Sequence, residues 1–146
     1  MRTEGNRLDR SVHLTHFLSE TVKLSFWPWF RLRARSFRHA FLGLLHLVES
    51  EWNFRIHLLG AFSAVITGLW LRFEYSEWLA VGVLIALVLT AEALNTAVER
   101  LVDLLRPERH PLARAAKDTA AAGVLLASLA ALVIGMTIVL RHLLRP

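Results

Sequence analysis

Cysteine is absent from all 146 residues, so disulfide frameworks, thiolate metal sites and cysteine nucleophiles are excluded together. The seven glycines never form G-x-x-x-x-G-K-[ST] or G-x-G-x-x-G, which removes the P-loop and the dinucleotide fingerprint. Seven histidines lie scattered without H-E-x-x-H or another metal spacing, so zinc is not expected. No internal repeat or low-complexity segment is present. Charge itself is scarce: 20% of the residues are charged against 55% apolar, and the mean hydropathy is +0.44, too oily for a soluble domain of this size. The net charge of +5 then labels the cytoplasmic face of a membrane rather than a nucleic-acid surface. Arg31, Arg33, Arg35, Arg38 and Arg55 come without a nucleic-acid motif and read as contacts to anionic headgroups; no nucleic-acid partner is expected.

Where charges are missing, spans follow. Thr119 to Leu140 is an uncharged run of 22 residues, about 33 Å of helix, enough to cross a hydrocarbon core. Ile56 to Leu71 and Trp78 to Ala91 are shorter. The first is lengthened by Phe54 and a snorkelling Arg55, and the second runs on through Glu92 to Leu105 without proline or glycine. The expected fold is all-α: three transmembrane helices at about 54–72, 77–105 and 117–141, assembled as a helical bundle.

Basic residues set the orientation. Fourteen of them fall in segments on one side of these spans and three on the other, which predicts a multi-pass protein with its N-terminus cytoplasmic and its C-terminus external. Trp70 and Trp78 bracket the external loop and Trp52 sits near the inner face, as indole prefers the interface. Before the first span, Phe37, Phe41, Leu44, Leu45 and Val48 lie opposite Arg38, His39 and His46, which predicts an amphipathic helix on the inner surface at about 36–50. Residues 1–30 read as an extension and 31–146 as the membrane domain. Small residues recur every fourth position at Gly60, Ala64 and Gly68, and at Gly123, Ala127, Ala131 and Gly135, which predicts close helix contact.

The chemistry concentrates in Ala91 to Asp103. Glu92, Asn95, Thr96, Glu99 and Asp103 fall on one helical stripe at about 100° per residue, while Ala93, Leu94, Ala97, Val98, Leu101 and Val102 cover the rest with hydrocarbon. Asp103 and Glu99 could belong to a solvated helix extension. Glu92 follows 14 uncharged positions and stands at the bilayer boundary, where a carboxylate is costly unless paired, protonated or metal-bound. Glu51 to His57 starts the first span and Arg114 to Asp118 starts the last, on the same side. Carboxylates from two helices plus Lys117 are the parts needed to hold a magnesium ion and a polyphosphate, although boundary lysines and carboxylates also serve as plain anchors.

Three ordered blocks, E-x-N-F-R-I-H at 51–57, A-E-A-L-N-T-A-V-E-R-L-V-D at 91–103 and H-P-L-A-R-A-A-K-D at 110–118, resemble the small integral-membrane lipid kinases of bacteria, the diacylglycerol kinase and undecaprenol kinase group. The resemblance spans about residues 36–140. It implies an ATP-dependent kinase of the bacterial inner membrane that feeds phospholipid or lipid-carrier metabolism, with Mg2+ as cofactor, and a homotrimer with active sites shared between subunits. It further implies Glu92 as the catalytic base and Glu51 and Glu99 as holders of the cation. Asn95, Lys117 and Asp118 would serve the phosphates, Glu108 and His110 would match a nucleotide-contacting loop, and Phe54 and Arg55 would adjoin the lipid. Trp52 and His39 depart from the pattern, while His57 and the H-P-L-A block lean toward the undecaprenol-type branch.

A small transporter or channel with a carboxylate-lined path is the competing reading. A path needs polar groups at several depths, whereas Trp78 to Thr90 and Thr119 to Leu140 offer only threonine and serine.

Overall fold

The computed structural model describes residues 33, 35–105 and 110–144. The chain divides into two compact units, Met1–Leu45 and His46–Pro146. The domain boundary expected between residues 30 and 31 lies outside the described residues. Residues 35–50 are helical (α1). Within the first unit, Phe37 and Phe41 are exposed, so the apolar face expected of this helix is open.

The second unit consists of α2 (Trp52–Leu71), α3 (Tyr75–Leu105) and α4 (Pro111–Leu143), with no strand among the described residues. All three are long and apolar enough to cross a membrane. At 1.5 Å per residue, α2 matches the ~30 Å hydrocarbon core, and α3 and α4 must extend beyond it. α3 is the central element; it packs most closely against α4 and less against α2. Leu59, Phe62, Leu69 and Trp70 of α2 stay exposed, and only Phe54 and Gly68 of that helix are buried. Such surface is stable in lipid or against another subunit, and not in water.

α4 starts at Pro111, earlier than the charge pattern predicts. Proline fits the first helical position because its missing N–H would be unpaired there anyway, and His110 caps the helix by accepting at Nδ1 from the Leu112 amide at 3.2 Å. The helix therefore begins before the charged residues that bound the apolar run.

The turn between α2 and α3 is compact for a local reason. Arg72 takes the left-handed conformation (φ 56°, ψ 58°), and the Phe73 amide donates back to the Gly68 carbonyl at 2.9 Å. Phe73 and Trp78 then close over Gly68, where a Cβ would stand 2.8 Å from Trp78 and 2.9 Å from Phe73. α3 opens with half of a capping box, the Glu77 carboxylate accepting from the Glu74 amide at 2.8 Å. The same carboxylate reaches His142 Nε2 at 2.9 Å and Arg141 at 3.8 Å on α4, and the His142 ring stacks on Phe73. This buried cluster fastens the end of α4 to the α2–α3 turn.

Of the small residues expected to bring helices together, Gly68 does so. Gly60, Gly123 and Gly135 do not within this chain, because a Cβ added at any of them meets nothing within 4 Å. Spacing shows which residues share a face but not what stands opposite.

Candidate active site

The polar stripe of α3 faces inward at the end of the bundle remote from Glu77. Glu92 is 3% exposed, Asn95 6% and Thr96 3%, while Glu99 is half-buried and Asp103 exposed, so burial falls along the stripe toward the helix end. This gradient follows from sequence: apolar neighbours seal the first turn, and Arg100 and Asp103 open the last.

Two neighbouring segments contribute to the site. From α2, His57 Nε2 stands 4.0 Å from Glu92 Oε2. Glu51, the residue before α2, accepts from Arg100 of α3 at 2.6 Å, and Arg100 also donates to Ser50 at 2.7 Å. The Arg100 guanidinium holds the Glu51 carboxyl below the ordinary carboxylate range, with the Ser50 hydroxyl assisting against partial desolvation. Glu92 thus faces an imidazole of α2, while Glu99 stands two turns further along the same stripe of α3.

Asn95 Nδ2 donates to Glu99 Oε1 at 3.0 Å, which orients both side chains. That leaves Asn95 Oδ1 buried and without a hydrogen-bond partner, an orphaned acceptor beside a carboxylate. No group of three or more histidine, cysteine, aspartate or glutamate side chains disposed around a metal occurs among the described residues. Magnesium does not require one, since it keeps several waters and is bound through one or two carboxylates plus substrate phosphates. Glu51, Glu99 and Asn95 Oδ1 are hard oxygen donors, and they fit a cation delivered with a polyphosphate.

The other residues expected at the site are dispersed around it. Lys117 of α4 pairs with Asp103 of α3 at 2.5 Å, tying the two helices on the same side as Glu99. Asp118 is exposed and pairs with Arg114 at 3.7 Å; His110 is exposed and occupied in capping. Phe54 is buried, and Arg55 turns back to donate to the carbonyls of Val48 at 2.6 Å and of Glu49. Glu108 lies outside the described residues. Sequence reasoning gave no role to Arg100 or to the approach of His57 to Glu92. A cation one residue beyond Glu99, with Glu51 expected nearby, was the available signal for the first; the second depends on helix register and has no local mark.

The fold and the site together define a small polytopic membrane protein whose central helix carries a polar stripe that begins at the buried Glu92. The chain matches the model of the prokaryotic diacylglycerol kinase family over residues 38–139. It is 38% identical over 109 residues to the undecaprenol kinase of Bacillus subtilis, an alignment covering 75% of this chain and 89% of that protein. A diacylglycerol kinase of Synechocystis sp. is 37% identical over 110 residues, 75% of this chain and 63% of that one. The diacylglycerol kinase of Escherichia coli is 30% identical over 95 residues, 65% and 78% of the two chains. The chain belongs to the prokaryotic diacylglycerol kinase family. It is a lipid kinase embedded in the membrane.

Proposed function

We propose that the protein transfers the γ-phosphoryl group of MgATP to the hydroxyl of a long-chain membrane alcohol, undecaprenol or diacylglycerol, with Glu92 as the general base. The observation that carries this reading is Glu92 itself: a carboxylate 3% exposed, at the end of an apolar span and facing His57. A lipid standing in the leaflet brings its hydroxyl to that depth from the side, and a nucleotide arrives from the aqueous end of the stripe.

In the step proposed, the lipid hydroxyl oxygen forms the new bond to the γ-phosphorus as the bond to the ADP oxygen breaks. The hydroxyl proton passes to a Glu92 carboxylate oxygen. Glu51, Glu99 and Asn95 Oδ1 would hold the cation, which when bound neutralises the phosphate oxygens. Lys117 supplies a mobile point charge for the same oxygens, released from Asp103 when phosphate competes. Asp118, His110 and Glu108 would contact the nucleotide, and Phe54 and Arg55 the lipid.

The site end faces the cytoplasm of the bacterial inner membrane in this reading, supported by the basic bias of its flanking segments. Assembly as a homotrimer with sites shared between subunits belongs to the same reading, the exposed apolar faces of α2 and α4 being open to lipid or to another subunit. The test offers purified protein labelled ATP and magnesium with undecaprenol and diacylglycerol side by side. ATP-dependent labelling of at least one lipid is expected, and labelling of neither rejects the proposal.

A further inference from the structure

Arg100 follows Glu99 on α3 and reaches across to the start of α2, where its Nη2 donates to Glu51 Oε1 at 2.6 Å and to the Ser50 hydroxyl at 2.7 Å. Ser50 itself donates to the His46 carbonyl at 2.8 Å, which ties that hydroxyl to the end of α1. Both contacts of Arg100 use a single nitrogen of a planar fork that carries several N–H donors. The Arg100 side chain is 42% exposed and that of Glu51 30%, at the aqueous end of the polar stripe. An ion pair so open to water is weakly held, and a stronger partner can draw either member away.

Glu51 is also one of the two carboxylates fitted to hold the cation, so Arg100 and a dication compete for the same oxygens. With Arg100 on Glu51, the pair Glu51 and Glu99 presents less net negative charge, which disfavours a bare dication. A cation delivered on a polyphosphate meets a different balance. The phosphates bring acceptor oxygens and negative charge for the guanidinium that Glu51 gives up, and a guanidinium fork matches two phosphate oxygens at once where an ammonium offers only a point charge. Lys117, the other cation on this side, rests in the same manner on Asp103.

We infer that Arg100 is a phosphate-binding residue that works by exchange: when MgATP binds, Glu51 passes from Arg100 to the cation and the Arg100 fork passes from Glu51 to the polyphosphate. The inference rests on the kinase reading and adds to its nucleotide site a residue that had no role there. Metal and nucleotide are coupled through this one side chain, each binding better when the other is present.

The test measures binding without turnover on protein purified in detergent. Mn2+ alone, a hard cation in place of magnesium, is followed by electron paramagnetic resonance, and the magnesium complex of a non-hydrolysable ATP analogue by calorimetry. Arg100→Met should bind Mn2+ alone roughly 3- to 10-fold more tightly and the nucleotide complex roughly 10-fold more weakly. An anchoring role cannot give opposite signs, because a misplaced Glu51 weakens both. Arg100→Lys keeps the charge and loses the fork; it should hold Mn2+ near the wild-type affinity and recover nucleotide binding only in part. On a Glu51→Gln background, Arg100→Met should tighten Mn2+ less, since the competition for Glu51 is gone. Should Arg100→Met assemble poorly, Arg100→Gln carries the same expectations.

The inference is overturned if Mn2+ does not tighten or the nucleotide complex does not weaken, and a parallel loss of both makes Arg100 an anchor of Glu51. Lipid phosphorylation by the wild type leaves the kinase reading standing in each of these cases. A wild type that binds no nucleotide defeats both.

Discussion

His57 and Glu92, on different helices, face each other at 4.0 Å between Nε2 and Oε2 at the start of the polar stripe. The pair sets an imidazole of α2 beside the carboxylate proposed to take the acceptor's proton. Glu92→Gln keeps the shape of that contact and cannot accept a proton. It should leave the protein folded and nucleotide bound, with kcat about 10²- to 10⁴-fold lower. Near wild-type turnover in a folded, detergent-purified oligomer would remove Glu92 from the mechanism.

Glu51→Ala and Glu99→Ala should each shift magnesium activation to higher concentration, because a hard cation loses one of two anionic donors in either variant. The two titrations should move together despite the different partners of the residues, Arg100 for one and Asn95 for the other. Magnesium titrations identical to wild type in both would make these carboxylates anchors of the helix ends.

Arg100→Met should release Glu51 from its main hydrogen bond, so that its pKa returns toward the ordinary value of 4.5. A carboxyl whose folded pKa is depressed contributes stability that is present above its unfolded pKa and is lost as pH falls through the folded one. The wild-type margin over Arg100→Met should therefore be full at neutral pH and vanish on acidification below the ordinary carboxylate range. Both side chains are partly exposed, which keeps the pair to about 0–1 kcal/mol. Thermal melts across pH check this; a margin that grows as pH falls contradicts it.

Gly68→Ala should destabilise the α2–α3 hairpin by about 1–3 kcal/mol, since the new methyl meets Trp78 and Phe73 rings at under 3.0 Å. Gly123→Ala, which meets nothing, should be neutral or gain up to ~1 kcal/mol of helix propensity. Equal melting temperatures for the two variants would show that the hairpin closes differently.

Glu77→Ala should leave His142 and the Glu74 amide without their acceptor and cost about 1–3 kcal/mol of stability. The residue stands at the opposite end of α3 from Glu92. Turnover per folded protein should accordingly be preserved, in contrast to Glu92→Gln. A large kcat loss at unchanged stability would require a second functional centre at that end.

Much of this architecture is legible in the chain because its determinants are local. Charge-free runs mark the three spans, and the spacing of Glu92, Asn95, Thr96 and Glu99 puts them on one face, which is buried at its first three positions. The charge pattern marks only the apolar part of α4, because Arg114, Lys117 and Asp118 bound that stretch while helical hydrogen bonding begins with Pro111. What escaped is long-range. Glu77 and His142 are 65 positions apart, and their pairing depends on how far α4 travels beside α3. The contrast between Gly68 and Gly60 depends on Trp78 reaching one and nothing reaching the other.

The two buried carboxylates of α3, Glu77 and Glu92, are fifteen residues apart, about 22 Å along one rigid rod. That separation is shorter than the ~30 Å hydrocarbon core, so both lie just inside its edges, and sliding the rod along the bilayer normal would carry one of them deeper; α3 acts as a depth gauge held at both levels. In a thicker or thinner bilayer the bundle must answer by tilting or by deforming the lipid around it. The depth of Glu92, the base proposed above, is thereby set by the helix and not by the membrane.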